Sequence, residues 1–378
     1  MRPSWIEIDL DAIEHNARQI TAHIAPAQLC AVIKADAYGH GDVPVAEAAM
    51  RGGAAMLAVA LVEEGVRLRE ADVDDSIVVL SEPDLADTAA IVTHSLTPTA
   101  YRMEFVERLA HEAEAAENIP YPVHLKVDTG MHRVGAPIPT ALEMARTIHA
   151  DPRLELTGIY THFPVADEDH AYTLHQNAQF GDFLDTLATE GIEPKLIHAA
   201  NTAAAFDLPV TRHAMCRVGL GLYGMRPTLD SGPDLDLRPA MRVVSHVAYM
   251  RDLPAGARPS YGRIKALGAD GNIATVPIGY ADGVPRSLSE TGAVLIGGKR
   301  YPYAGMVTMD MVIVDVGSDP VGRGDEVVLL GAQGDDAIRA EEWAHLLGTI
   351  NYEVVCHFGP RLPRRYVSRR ESGGSPIG

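Results

Sequence analysis

Hydrophobic positions follow two regimes along this chain of 378 residues. From Leu29 onward short apolar runs recur at Leu29 to Lys34, Met56 to Leu61, Ser76 to Leu80, Val123 to Val127, Leu154 to His162, Lys195 to Ala199 and His213 to Val218. Helix-like stretches alternate with them: Val62 to Ala71, Leu85 to His94, Arg102 to Glu117, Pro139 to Ala150 and His170 to Glu190. Leu96 to Ala100 is the faintest of the eight strands. Strands apolar on both faces, each followed by a helix, belong in a parallel sheet that is covered on both sides. Eight such units predict an α/β fold, a closed (β/α)8 TIM-type barrel whose strand C-termini carry the chemistry. An open doubly wound sheet is the alternative.

After about Asp236 the rhythm changes. Runs at Arg242 to Tyr249, Ile273 to Ile278, Val294 to Ile296 and Val312 to Val316 are parted by Gly and Pro turns, the pattern of a mainly β domain. The chain therefore divides at Pro227 to Pro239, around Ser231-Gly232-Pro233, into a barrel over 1–236 and a mainly β domain over 237–378. Trp5-Ile6-Glu7-Ile8 alternates like a strand, so the first ten or so residues are expected to join the later sheet. Asp9 then reads as the cap of an amphipathic helix.

Composition narrows the function. With 47% hydrophobic and 22% charged residues the chain is folded and globular, with disorder expected only at Glu371 to Gly378. A formal charge of −19 with no basic stripe repels phosphate backbones, so nucleic acid is not an expected partner. Cys30, Cys216 and Cys356 stand far apart, which argues against a disulfide scaffold or a zinc knuckle. The acidic N-terminal stretch lacks the core of a signal peptide. No charge-free apolar run reaches the roughly 18 residues a membrane helix requires. A cytoplasmic protein without a membrane partner is expected.

Candidate chemistry begins at Ala31-Val32-Ile33-Lys34-Ala35-Asp36-Ala37-Tyr38-Gly39-His40-Gly41, where an apolar run delivers one lysine and breaks into a turn. An amine that loses hydration there favours its neutral form and suits Schiff-base chemistry, although a solvated lysine at a strand end has the same signature. The barrel reading adds Lys126 with Asp128, His162, Asn201 and Arg217 to the catalytic rim. Three other signals are weaker. Gly219-Leu220-Gly221-Leu222-Tyr223-Gly224 fits a dinucleotide fingerprint but runs into Pro227 where a helix is needed, although its amides could still hold a phosphate. Asp128-Thr129-Gly130 lacks the second triplet of an aspartic protease. His162, His170 and His175 have no metal-ligand spacing, so no metal is expected.

The lysine segment resembles the pyridoxal phosphate attachment motif of the alanine racemase family. Further matches follow in the family's order: Leu125 to Gly135, His198-Ala199-Ala200-Asn201-Thr202, Arg217-Val218-Gly219, Gly221-Leu222-Tyr223-Gly224, Ser260-Tyr261-Gly262-Arg263, Gly279-Tyr280-Ala281-Asp282-Gly283, Val307-Thr308-Met309-Asp310 and Ile350-Asn351-Tyr352-Glu353. The resemblance spans Trp5 to about Arg364. It implies a barrel plus β-domain homodimer with shared active sites. It also implies that L- and D-alanine are interconverted on pyridoxal 5'-phosphate, supplying D-alanine for peptidoglycan.

By the same resemblance Lys34 anchors the cofactor and Tyr38, Thr202, Gly219, Leu220 and Tyr352 cradle its phosphate, with Thr202 where the family often has serine. His162, Asn201 and Arg217 line the ring, Arg217 facing the ring nitrogen and keeping it neutral. Lys34 and Tyr261 are the two bases, Tyr261 coming from the partner subunit, with its proton either released by a shifted pKa or relayed through His162 and Arg217. Arg133 and the Met309 amide hold the substrate carboxylate, Lys126 occupies the position of a possible carbamylated lysine, and Tyr280 and Tyr352 narrow the entrance. Rival readings are a barrel-only cofactor-binding protein, which should lack the β domain and Tyr261, and a decarboxylase, which Arg217 disfavours. A racemase that also accepts serine is harder to separate, because one hydroxyl discriminates weakly in an apolar site.

Overall fold

The computed structural model of the protein describes residues 3–227 and 235–368. The expected boundary loop at Pro227 to Pro239 and the expected disordered tail therefore fall largely outside the described residues. Among the described residues no helix is long and apolar enough to cross a membrane.

Eight parallel strands, Gln28–Val32, Met56–Val59, Ile77–Val79, Thr97–Ala100, Tyr121–Asp128, Leu154–Tyr160, Leu196–His198 and Met215–Val218, pair in that order. Met215–Val218 then pairs back to Gln28–Val32 and the barrel closes. The open sheet is thus excluded. Leu29, Leu57, Val78, Leu125, Ile159 and Val218 are fully buried, the two-sided burial that the continuous apolar runs predicted. Thr97–Ala100, the faintest run, closes the ring between Ile77–Val79 and Tyr121–Asp128.

A second compact unit comprises the described parts of Met1–Ala12, Tyr38–Gly41 and Pro239–Gly378. Its larger sheet runs Lys299–Pro302, Ala293–Ile296, Glu326–Gln333, Met241–His246, Trp5–Asp9, Arg364–Val367. The single run expected at Arg242 to Tyr249 is divided: Met241–His246 joins this sheet, while Tyr249–Leu253 joins Gly271–Val276 and Val312–Gly317 in a three-stranded sheet. The change of sheet falls at Val247 and Ala248, whose amides turn to the carbonyls of Asp325 and Thr275. A hydropathy run cannot register such a change of hydrogen-bond partner.

The lysine segment differs from a simple strand end. The strand stops at Val32, and Lys34–Gly39 is a helical turn in which residues 35–39 all have positive φ, +51° to +78°. Four of these are not glycine, and a left-handed turn of L-residues is costly enough that the surroundings must impose it. Glu64 contributes, accepting from the amides of Ala35, Ala60 and Leu61. Gly39 and Gly41 complete the turn because a Cβ on them would stand 2.7 Å from the Val355 carbonyl and 1.9 Å from the Tyr366 hydroxyl.

Gly158 and Gly181 make opposite predictions. A Cβ on Gly158 would lie 2.6 Å from the buried His124 ring, so Gly158→Ala should destabilise by about 1–3 kcal/mol. Gly181 lies inside the helix His170–Thr189 with nothing within 4 Å of its added Cβ, so Gly181→Ala should stabilise by about 0.5–1 kcal/mol. Urea denaturation of both variants checks the two signs.

Candidate active site

Arg217, at the end of the last barrel strand, organises the barrel's polar cluster. Its side chain is buried and has no carboxylate partner among the described residues. Nη1 donates to His198 Nδ1 at 2.8 Å and to the His198 carbonyl at 3.2 Å. Nη2 donates to the carbonyls of Thr161 and Ala199 at 2.9 and 3.1 Å and to His162 Nδ1 at 3.0 Å. The guanidinium lies 4.9 Å from the Tyr160 ring centroid, a cation–π contact. Burial lowers its basicity, but a guanidinium stays protonated in proteins.

Because Arg217 can only donate, it dictates the proton positions around it. His162 Nδ1 and His198 Nδ1 must be acceptors, so each ring carries its proton on Nε2. His198 Nε2–H then donates to His124 Nδ1 at 3.2 Å, which leaves the His124 proton on its own Nε2. Burial, followed by the charge of Arg217, holds all three histidines below their ordinary pKa, His124 at about 3. All three are therefore neutral at pH 7. The same logic closes the proposed relay through Arg217: it offers His162 a donor and offers no site for an arriving proton.

Lys126 lies beside this cluster, its Nζ 5.2 Å from the Tyr160 ring centroid. Burial first, then the charges of Arg217, Arg133 and Lys34, lower its pKa to about 7. Those charges place Lys34 and Arg133 in the electrostatic neighbourhood of Lys126 and His162. Arg133 is exposed and has no carboxylate partner among the described residues. Asn201 caps the helix Thr202–Asp207 by accepting from the Ala204 amide, and it donates to the Phe163 carbonyl. The Gly219 turn meets Thr202 directly, since a Cβ on Gly221 would lie 3.3 Å from Thr202 Cγ2. That turn is a 3-10 element, Leu220–Tyr223, ending at left-handed Gly224, and not the helix a dinucleotide site needs.

The remaining candidates belong to the second unit. Tyr38 and Tyr352 face each other at 6.0 Å between ring centroids. Burial, then the Tyr352 hydroxyl, pushes the Tyr38 phenol above its ordinary pKa and keeps it a donor. Tyr261, Tyr280 and Met309 are exposed, Tyr261 to 73%.

The donors suit pyridoxal phosphate. Arg217 Nε–H is the one donor of the buried guanidinium without an acceptor among the described residues, as a pyridine nitrogen partner requires. Within the barrel unit Thr202 and the glycine turn offer neutral donors of the kind a phosphate takes. Sequence reasoning gave no role to His198, His124, Tyr160 or Glu64. His198 stood inside a matched motif, whereas His124 and Tyr160 carried only the signature of polar residues within apolar segments and Glu64 that of one acid among the charges of a helix.

Lys126 makes a stability prediction whose sign follows from its depressed pKa. Below pH 7 both the folded and the unfolded amine are charged and the burial penalty is complete. Between about 7 and the ordinary 10.5 the unfolded chain binds more protons, so stability rises with pH. In CO2-free buffer the stability advantage of Lys126→Met over the natural chain should shrink across that window in urea titrations. A constant gap would contradict the buried neutral amine.

Comparison with known proteins identifies the family. Residues 8–227 match the model "Alanine racemase, N-terminal domain" and residues 240–366 match "Alanine racemase, C-terminal domain". The alanine racemase of Desulfovibrio desulfuricans is 41% identical over 371 residues, which cover 97% of this chain and 98% of the relative. The crystal structure of the alanine racemase of E. faecalis superposes with a TM-score of 0.91 at 36% identity, covering 97% of this chain and 98% of the other. A histidine racemase from Leuconostoc mesenteroides superposes with a TM-score of 0.88 at 27% identity, covering 97% and 99%. From the barrel of residues 28–218 to the β unit, the chain belongs to the pyridoxal phosphate-dependent alanine racemase family.

Proposed function

We propose that the chain interconverts L- and D-alanine with Lys34 and Tyr261 as the two bases, in a homodimer whose partner copy supplies Tyr261 to each site. The observation that carries this reading is the exposure of the second base. A phenol that exchanges a proton with a bound substrate needs an enclosed site, yet Tyr261 is 73% exposed in its own chain. Met309, Met311 and Tyr280 are exposed in the same unit, the aromatic and methionine composition of a surface that another copy covers.

Bound pyridoxal phosphate spreads the negative charge left when the α-proton is removed. Lys34 would hold it through its amine, and Tyr38, Asn201, Thr202, Gly219, Leu220 and Tyr352 would surround it. Arg217 Nε–H would face the ring nitrogen and keep it unprotonated, restraining the charge from reaching positions that lead to transamination. Arg133 and the Met309 amide bind the substrate carboxylate. The α-proton then leaves on one face to Lys34 or Tyr261 and is replaced on the opposite face from the other. Lys126, whose neutral form is well populated near pH 7, can add its amine to CO2 with loss of one proton, and the resulting carbamate anion would fix Arg133. Tyr280 and Tyr352 limit the entrance to small side chains. The product D-alanine suits peptidoglycan synthesis in a cytoplasmic setting. Serine is the second substrate to test, since the family's fold also houses a histidine racemase.

Incubation of the holoenzyme with L-alanine in deuterium oxide should give α-deuteration and the D form; absence of both would refute the assignment. Lys34→Ala should abolish the visible absorbance of the bound cofactor. Mixing Lys34→Ala chains with Tyr261→Ala chains should restore part of the activity, whereas no recovery means that each chain builds its own site. Arg217→Glu should raise the keto-acid side product measurably, and an unchanged yield removes the restraint assigned to Arg217.

A further inference from the structure

The exposed base is held by an unusual loop. Ser260 has φ +68° and ψ −177°, a region that is essentially glycine-only. Gly262 and Arg263 follow at φ +67° and +49°. Such a backbone persists only when its surroundings over-determine it, and three contacts do so. Ser260 Oγ donates to the Met306 carbonyl at 2.7 Å. Arg258 Nη1 donates to the Arg263 carbonyl at 2.9 Å and closes the loop on itself. Gly305 leaves room for the approach, because a Cβ there would stand 2.5 Å from the Pro259 carbonyl and 3.1 Å from Ser260 Cβ.

The anchoring segment is itself fixed. The Val307 amide donates to Ser289 Oγ at 3.0 Å, and Ser289 is buried. At the next two residues, Tyr280 N–H donates to the Thr308 carbonyl at 2.9 Å and Ala281 N–H to that of Met309 at 3.0 Å. Gly279 is bare for the same reason, since its Cβ would meet the Thr308 carbonyl at 2.2 Å. One stretch, Gly305 to Met309, therefore anchors the loop of Tyr261, the turn of Tyr280 and the amide of Met309.

We propose that Ser260 is a positioning residue: its hydroxyl, tethered to the Met306 carbonyl, sets the direction of the Tyr261 phenol relative to the Met309 amide. The proposal rests on the reading of Tyr261 as one of the two bases. Among the described residues no hydrogen bond or ring contact holds the Tyr261 side chain, so its direction is inherited from the backbone that carries it. A free hydroxyl at an exposed loop would leave that backbone to relax out of its strained conformation, and the phenol would then sample many directions.

The two substitutions that remove the tether differ in strain. Ser260→Ala loses the hydroxyl and keeps a side chain in the glycine-only region; Ser260→Gly loses the hydroxyl and relieves that strain. Both are compared with Tyr261→Phe as holoenzymes, following loss of α-deuterium to water from deuterated L-alanine and deuterated D-alanine. Tyr261→Phe should slow washout from one enantiomer selectively. Ser260→Ala and Ser260→Gly should slow washout from that same enantiomer by about tenfold, with kcat falling and KM within about twofold. Hydrogen exchange of the 258–266 amides should rise in both, while Ser260→Gly keeps a Tm at or above that of the natural chain. Selective loss in Tyr261→Phe with both Ser260 variants unchanged, or slowed equally for both enantiomers, overturns the positioning role and leaves the two-base reading standing. No selective loss in Tyr261→Phe overturns the two-base reading and the proposal with it.

Discussion

A buried guanidinium with no carboxylate beside it is the constraint on which the barrel's polar interior depends. An unpaired charge in a low-dielectric interior is expensive, and here neutral acceptors carry the compensation: three carbonyls and two imidazole nitrogens around Arg217. A carboxylate would have neutralised the charge more directly and would also have shielded it from a bound ring. Neutral partners leave the positive field intact, and that field lowers the pKa of His162, His198, His124 and Lys126 after burial has begun the shift. The arrangement also fixes the carbonyls at the ends of two neighbouring barrel strands, because Thr161, His198 and Ala199 all turn their oxygens to one side chain. Closure of the barrel and the electrostatics of its rim are therefore one problem.

The parts of this architecture legible in the sequence are those that hydrophobic burial alone decides. Leu29, Leu57, Val78 and Ile159 announce strands because both faces of a barrel strand are dry. Even Leu96 to Ala100, the faintest run, was placed where the eighth strand lies. Motif order then assigned Lys34, Arg217 and Tyr261 by resemblance, which composition could not have done. What stayed hidden depends on partners distant in sequence. The left-handed turn after Lys34 violates the local preference of four residues and is held by Glu64, which is 29 positions away from Ala35. His124 looks like a misplaced polar residue in an apolar strand until His198 and Gly158 are beside it. The division of Arg242 to Tyr249 between two sheets follows from the carbonyls of Asp325 and Thr275.

The two units solve opposite problems. The barrel buries its charges and uses a donor that cannot accept, so its protons have fixed places and its histidines stay neutral. The second unit exposes Tyr261, the proposed second base, next to the strained backbone of Ser260. Strain at an exposed loop is tolerable only if the loop has a defined task, since relaxation there would cost the core nothing. In the proposed dimer a second copy would enclose the phenol and give the strained presentation its purpose. In this reading assembly is the step that turns two partial sites, one with buried charges and one with a displayed base, into a complete pair of acid and base on opposite faces of one carbon.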